Sequence, residues 1–371
     1  MKALRIFSRL FVGLVFMFSG FVKGVDPLGT TYKIEDYFIA FNFDWAMPYA
    51  LPLSILLCAI EFGIGASLFF NLRTKSISWI LLPLMIFFTG LTYYDYISML
   101  VPDCGCFGDF IKLSAFDTFL KNVILLLFSI IVFLQRKRFT SIFMRGPQSF
   151  FLFVFFIVFI GFSFYNYRYI PVLDFRDWKV GNNMIPDNKE KAKMYVTYMN
   201  KETGEEKEYL SPNYPWKDSV WVSQNEFVKQ RVEESNIEKK HDLVIQDALG
   251  NDVTDMFIEN QDFTFLVVAY DLSLTNKEAF IDKIEPLFKK FDGDGYPFII
   301  ITSSLPEDVE KFKAETGTTN IEYYFADDIV LKSMIRSNPG LMLMKDGVVL
   351  GKWGFRDIPN ADKLTKEFSI R

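Results

Sequence analysis

The chain has 371 residues, half of them hydrophobic and 42 of them Phe, a load too heavy for an ordinary soluble protein. Its net charge of −5 gives no support to nucleic-acid binding. A single histidine, His241 in the charged run Glu-Lys-Lys-His-Asp, excludes a histidine-based triad or zinc site and is expected to be solvated.

The apolar residues crowd positions 1–167, whereas 168–371 reads as a charged soluble region, and no repeat of solenoid spacing occurs. Five segments approach the ~20 residues that a bilayer-spanning helix needs: Leu4–Val22, Pro48–Phe70, Ile77–Leu100, Ala115–Leu134 and Ser149–Tyr167. The first resembles a signal peptide, but Ser19-Gly20-Phe21-Val22-Lys23 offers no small-x-small cleavage site, so an uncleaved helix is expected. Basic residues set the orientation. Lys2, Arg5 and Arg9 open the first segment, Arg73 and Lys75 join the second and third, and Arg136, Lys137, Arg138 and Arg145 join the fourth and fifth. The other connections carry Asp26, Glu35, Asp36 and Asp44, and Asp103 and Asp109. A cytoplasmic N-terminus follows, with residues 168–371 on the outer, oxidising side.

Several polar residues need a reason. Ser114 followed by Asp117 reads as a capping box that opens the fourth segment, and Pro83 predicts a kink in the third. Glu61 is a carboxylate inside a membrane helix, so it should face the bundle interior. Cys58, Glu61 and Gly65 share one helical face. They form either a proton-carrying site beside a thiol or a protonated, hydrogen-bonded Glu61 next to a small apolar filler. Lys23 and Asp95 lie at the outer ends of their helices, where they pair with each other, bias nearby thiols or snorkel to the interface.

The chemistry concentrates in Val101–Asp109, Val-Pro-Asp-Cys-Gly-Cys-Phe-Gly-Asp, which holds Cys104 and Cys106, two of three cysteines. A Cys-x-Cys bridge closes a small, strained ring of labile potential, which suits thiol exchange. A structural disulfide, idle thiols and a soft-metal site such as Cu(I) are the alternatives. Gly105 and Gly108 let the backbone turn tightly and leave a sulfur open. Asp103 and Asp109 oppose a strongly activated thiolate unless Lys23 or Lys112 approaches. Counted along its helix, Glu61 falls about ten residues, or ~15 Å, below the loop, too deep to touch it.

The helix exit Ser19–Pro27, Ser-Gly-Phe-Val-Lys-Gly-Val-Asp-Pro, with Glu61 and Gly65, resembles the DoxX family of four-helix membrane proteins. The string Cys-Gly-Cys-Phe-Gly-Asp is similar to that of its MauE branch. That resemblance spans about residues 1–140 and implies disulfide or electron handling for a periplasmic partner. It implies no substrate, and the fifth helix departs from the minimal family.

In the soluble region, Met194–Asn200 and Lys207–Leu210 read as a hairpin across Lys201-Glu202-Thr203-Gly204, and Glu226–Lys239 as a helix. From His241 onward, strands and helices alternate: Phe263–Tyr270, a helix over Asn276–Phe291, Pro297–Thr302, a helix over Pro306–Thr316, Glu322–Phe325, a helix over Ile329–Arg336, and a hairpin of Leu341–Lys345 and Val348–Trp353. A parallel core with a terminal antiparallel hairpin indicates an α/β sheet. The order resembles the thioredoxin fold, with Asn338-Pro339-Gly340 at the position of that fold's cis-proline loop. Where a thioredoxin carries Cys-x-x-Cys, this chain has Asp271-Leu272-Ser273-Leu274-Thr275-Asn276, and no cysteine follows Cys106.

The expected architecture is therefore a multi-pass α-helical bundle of five transmembrane helices plus an extracytoplasmic α/β thioredoxin-like domain. Its parts are a DoxX/MauE-like domain (1–140), a fifth helix (141–167), an α+β connecting region (168–240) and a cysteine-free domain (241–371). The expected function is a thiol–disulfide or electron relay in a bacterial inner membrane, through Cys104 and Cys106, toward a periplasmic thiol or disulfide protein. Glu61, Lys23, Asp95, Gly105, Gly108 and Asp109 support that site, and Pro339 has a structural part. The alternative is a non-catalytic assembly or scaffold subunit with a structural cysteine pair. A channel through Glu61 is disfavoured because few other polar groups are expected inside the bundle. No cofactor or metal is implied, with a quinone left open, and no nucleic-acid partner is expected.

Overall fold

The computed structural model describes residues 2–99, 101, 105–111, 113–141, 145–186, 193–211, 213–215, 218–233 and 240–370. Cys104, Asp103 and Lys112 lie outside the described residues. Among the described residues, six α-helices make up the first half: α1 (Lys2–Val25), α2 (Pro27–Ala40), α3 (Ala50–Phe69, entered through a 3-10 turn Asp44–Tyr49), α4 (Thr74–Ser98), α5 (Ala115–Leu134) and α6 (Arg145–Arg168). All but α2 are long and apolar enough to cross a membrane. This is a multi-pass membrane protein with an α/β domain following its last span.

Short side chains let α1 and α3 lie close. A Cβ on Gly20 of α1 would meet the Phe62 backbone nitrogen of α3 at 2.6 Å, so the two backbones touch where a larger residue would separate them. Arg9 of α1 donates to the carbonyls of Leu68 and Phe69 at 2.5 and 3.1 Å, closing the C-terminal end of α3. Helix α4 packs chiefly on α5. The Ser114 hydroxyl accepts from the Asp117 N–H at 3.1 Å, the cap that the sequence predicts for α5. Helix α2, within what the sequence predicts only as an acidic connection, starts at Asp26-Pro27. The Asp26 carboxylate accepts from the Gly29 N–H at 3.0 Å, and Pro27 occupies the first turn.

Beyond the membrane helices, β1 (Lys193–Asn200), β2 (Glu206–Leu210) and β3 (Asn225–Glu233) form an antiparallel sheet in the order β2-β1-β3, with α7 (Ser219–Gln224) before β3. The expected helix over 226–239 is thus a strand as far as residue 233, and 234–239 fall outside the described residues. Its run Glu-Phe-Val-Lys-Gln-Arg-Val-Glu fits either period, and pairing with β1 decides for extension.

The second sheet has the order β6-β5-β4-β7-β8. Strands β4 (Thr264–Val268), β5 (Phe298–Thr302) and β6 (Glu322–Phe325) are parallel, and β7 (Gly340–Lys345) and β8 (Val348–Gly354) close one side antiparallel. A short helix α8 (Thr254–Ile258) precedes β4. The first crossover runs through α9 (Lys277–Ala279), a π turn (Phe280–Ile284) and α10 (Glu285–Phe291), and α11 (Pro306–Thr316), α12 (Asp328–Met334) and the terminal α13 (Ala361–Phe368) complete the layers. Both faces of β4 are covered, which explains its uninterrupted apolar sequence. Phe265 and Val267 pack with Phe280, Phe291 and Leu364, whereas Leu266 and Val268 pack with Leu331, Met334 and Trp178. Trp178 and Met184 enter this core from the segment after α6, fastened by Gly181 N–H to Val349 O and Met184 N–H to Gly347 O, both 2.8 Å. The Asn338–Pro339 bond is cis, as the sequence predicts.

Candidate functional site

The site begins with a charge pair that neither helix could bury alone. Lys23, near the end of α1, and Glu61, in the middle of α3, are 7% and 3% exposed, and the Lys23 ammonium lies 2.7 Å from both carboxylate oxygens of Glu61. In a low-dielectric interior each neutralises the other's desolvation cost. One turn before Lys23, Ser19 places its hydroxyl 2.9 Å from Glu61 Oε2 and 2.8 Å from the carbonyl oxygen of Cys106. A hydroxyl has one proton, so it serves the two acceptors alternately or shares it between them.

The cysteine loop therefore reaches Glu61 through a single side chain, contrary to the separation expected from the rise along α3. That expectation held the loop at the helix ends. The loop instead folds inward over α1, with Phe107 and Phe110 against Phe18 at ring distances of 5.7 and 5.3 Å. Phe110 also meets Phe175 at 5.0 Å, and the Lys121 ammonium sits 4.5 Å over Phe107. Gly105 and Gly108 both take positive φ, +60° and +52°, and the Gly108 N–H donates to Gly105 O at 3.0 Å. A Cβ at Gly105 would press on the Lys33 side chain at 3.0 Å. Cys106 carries a half-buried free thiol, and Cys58 a fully buried one.

Lys23 and Asp95 do not pair. Asp95 is buried and accepts from the Tyr37 hydroxyl of α2 at 2.5 Å. The bundle also holds more polar groups than expected, among them Asn122 of α5, which donates to the Thr92 hydroxyl of α4 at 3.1 Å. His241 is half-buried rather than solvated, its ring 5.3 Å from Trp178.

The soluble domain is tied to this loop by a residue that the sequence reading did not single out. Arg336, 8% exposed and three residues before Pro339, holds Asp26 through Nε at 2.9 and 3.1 Å and Asp109 through Nη2 at 3.1 Å. Its guanidinium also lies 5.3 Å over Tyr32 of α2, next to Lys332 at 4.9 Å from the same ring. Burial pushes the Asp26 carboxyl upward, but Arg336, Arg176 and the Gly29 N–H outweigh it and hold Asp26 below the usual carboxylate range. One guanidinium thus joins the exit of α1, the cysteine loop and the α/β domain. Nothing local in the sequence marks Arg336, because its partners lie 310 and 227 residues away.

Between these parts lies a cleft of about 1290 Å³. Its walls come from α1 to α5, the cysteine loop, residues 177–178 and 240–242, and α12, and both Cys106 and the Lys23–Glu61 pair line it. A thiol, a buried acid and a buried base around one cleft can exchange sulfur bonds and move protons.

The family comparison follows the same boundary. Residues 1–135, a little over a third of the chain, match the family described as Methylamine utilisation protein MauE. The MauE match contains Lys23, Glu61, Cys104, Cys106 and Asp109, and ends short of α6 and the α/β domain that supplies Arg336. No curated protein matches the chain.

Proposed function

We propose that this membrane protein, similar to the MauE family over residues 1–135, is a thiol–disulfide or electron relay, with Cys104 and Cys106 as the exchanging pair and a thiol or disulfide protein outside the cytoplasm as its partner. The observation that carries this reading is the placement of Cys106. Its backbone is pinned through Ser19 to the Lys23–Glu61 pair, and its thiol remains half-exposed in the cleft. A purely structural cysteine needs neither the ion pair nor the opening. In the exchange, one thiolate attacks a partner disulfide, a mixed disulfide forms with loss of the partner's second sulfur as thiolate, and the other cysteine displaces the partner. The orientation follows the positive-inside rule, with the N-terminus cytoplasmic and the soluble part in the periplasm of an inner-membrane protein.

The sheet order β6-β5-β4-β7-β8 supports reading the α/β domain as thioredoxin-like. It holds no cysteine, so its part is to hold the loop and to dock the partner. That same absence favours the second reading, a non-catalytic assembly subunit. Trapping decides between them. With Cys104→Ala and Cys106→Ala made singly, a relay loses function in both and accumulates a mixed disulfide in one of them. Normal growth of both, with no trapped partner, would refute the relay and leave the assembly subunit.

A further inference from the structure

We propose that the end of the membrane bundle opposite the cysteine loop binds the headgroup of an anionic phospholipid, through Arg5 of α1 and the 3-10 turn Arg136–Arg138 that follows α5. The inference goes beyond the relay and does not depend on it.

The charge at this end has one sign. Residues 1–10, 69–78 and 134–148, which form its helix ends and connections, include Lys and Arg but no Asp or Glu. Cations that only orient a chain in the bilayer need no fixed geometry, because their long side chains snorkel freely. Two guanidiniums here are held in place. Arg136 lies 4.0 Å over Phe133 and 5.0 Å over Trp79, and its Nη1 donates to the Phe133 carbonyl at 2.8 Å. Arg5 lies 5.6 Å over Phe139, and its Nε is buried without an acceptor. Phe139 directly follows the turn and packs on the core shared by α1, α3, α4 and α5, which brings Arg5 and the turn to one end of the bundle.

These cations are not compensated from within. A guanidinium has five N–H donors. Among the described residues, Arg5 makes no side-chain hydrogen bond and Arg136 only the one to Phe133. Lys137 and Arg138 are exposed and have no side-chain hydrogen bond or ion pair among the described residues. A guanidinium held flat offers paired N–H groups that match two oxygens of a phosphate.

The surroundings select a lipid over a soluble anion. Phe7, Trp79 and Leu134 are exposed on spans that cross the bilayer, in the same turns of helix as the cations, so acyl chains have an apolar surface directly beside the charge. A free phosphate would use the charge and leave that surface unused. A zwitterionic lipid brings its own ammonium, which the cluster repels, so the fit is to a headgroup with net negative charge, such as phosphatidylglycerol.

The test titrates the full-length chain in detergent micelles with phosphatidylglycerol or phosphatidylcholine of the same acyl chains, read by native mass spectrometry. The wild type should retain phosphatidylglycerol at least ~10-fold more tightly. Arg5→Gln and Arg136→Gln should each cut that ratio several-fold with phosphatidylcholine binding unchanged, a pattern that a misfolded variant would not give. Arg136→Lys should fall with Arg136→Gln, because an ammonium keeps the charge but not the planar fork. Arg73→Gln removes a charge from the same end, but Arg73 is held to Ser149 of α6, and the ratio should stay within ~2-fold of the parent. Equal retention of the two lipids by the wild type would overturn the site. A loss in Arg73→Gln as large as in Arg136→Gln, or full retention in Arg136→Lys, would reduce it to diffuse charge and overturn it equally. Displacement of the lipid by soluble glycerophosphoglycerol at matching concentration would refute the lipid and leave a site for a free phosphodiester.

Discussion

Replacing one member of the Lys23–Glu61 pair should damage the membrane half far more than replacing both. In Glu61→Leu, the Lys23 ammonium, 7% exposed, loses both of its 2.7 Å contacts and remains charged inside the bundle. In Lys23→Met, the Glu61 carboxylate keeps only the Ser19 hydroxyl. Removing one partner of a buried pair costs about 3–5 kcal/mol, whereas replacing both by apolar groups of similar volume is about neutral. The pair is deeply buried and has a single further hydrogen bond, so each single variant should fall at the upper end of that range, with the double variant within ~1 kcal/mol of the parent. A loss of that size is a large part of the ~5–15 kcal/mol available to a folded protein. Unfolding by SDS titration in mixed micelles can be followed by alkylation of Cys58, which is fully buried in the same helix as Glu61. Single variants costing under ~1 kcal/mol, or a double variant whose loss equals the sum of the singles, would refute the argument.

Arg336→Ala leaves Asp26 and Asp109 facing each other without their shared cation. It should speed maleimide labelling of Cys106 several-fold while the melting of the α/β domain changes little; unchanged labelling would show that Arg336 does not hold the loop. Acid should weaken the soluble domain through Asp174, whose carboxyl lies 2.8 Å from Arg176 and 2.6 Å from Lys352. Burial raises its pKa, but these two cations bring it down to about 2. Because the folded value lies below the unfolded one, this contribution of about 2 kcal/mol is present above pH ~4 and is lost as the pH falls toward 2. Thermal melts of wild type and Asp174→Asn between pH 6 and ~2 should therefore converge at the acid end. Reporter fusions at Thr74 and Arg138 should read cytoplasmic; periplasmic activity at either would reverse the orientation.

Much of the fold is legible because long periods dominate it. The apolar spans exceed any competing signal, and the parallel strands announce themselves as short apolar runs between polar helices such as Pro306–Thr316, whose bounds the sequence gives unaided. The strand β3 is not legible, because its charged alternation fits two periods and only the partner strand chooses. The site is half legible. Lys23 and Glu61 each stand out as charges in apolar helices, but their pairing depends on how closely α1 and α3 approach, which Gly20 controls from a distance no sequence pattern prints. Arg336 is the opposite case, an ordinary-looking residue made important by partners hundreds of positions away.

Asp26 caps α2 with the same carboxylate that holds Arg336. The soluble domain is consequently a tethered ligand of the membrane domain, present at the high effective concentration that a covalent linker provides. Whatever unseats it also removes charge compensation from the first turn of the surface helix, so docking and the order of α2 are thermodynamically linked. A protein that grips the α/β domain would then be felt in the bilayer without touching a membrane helix.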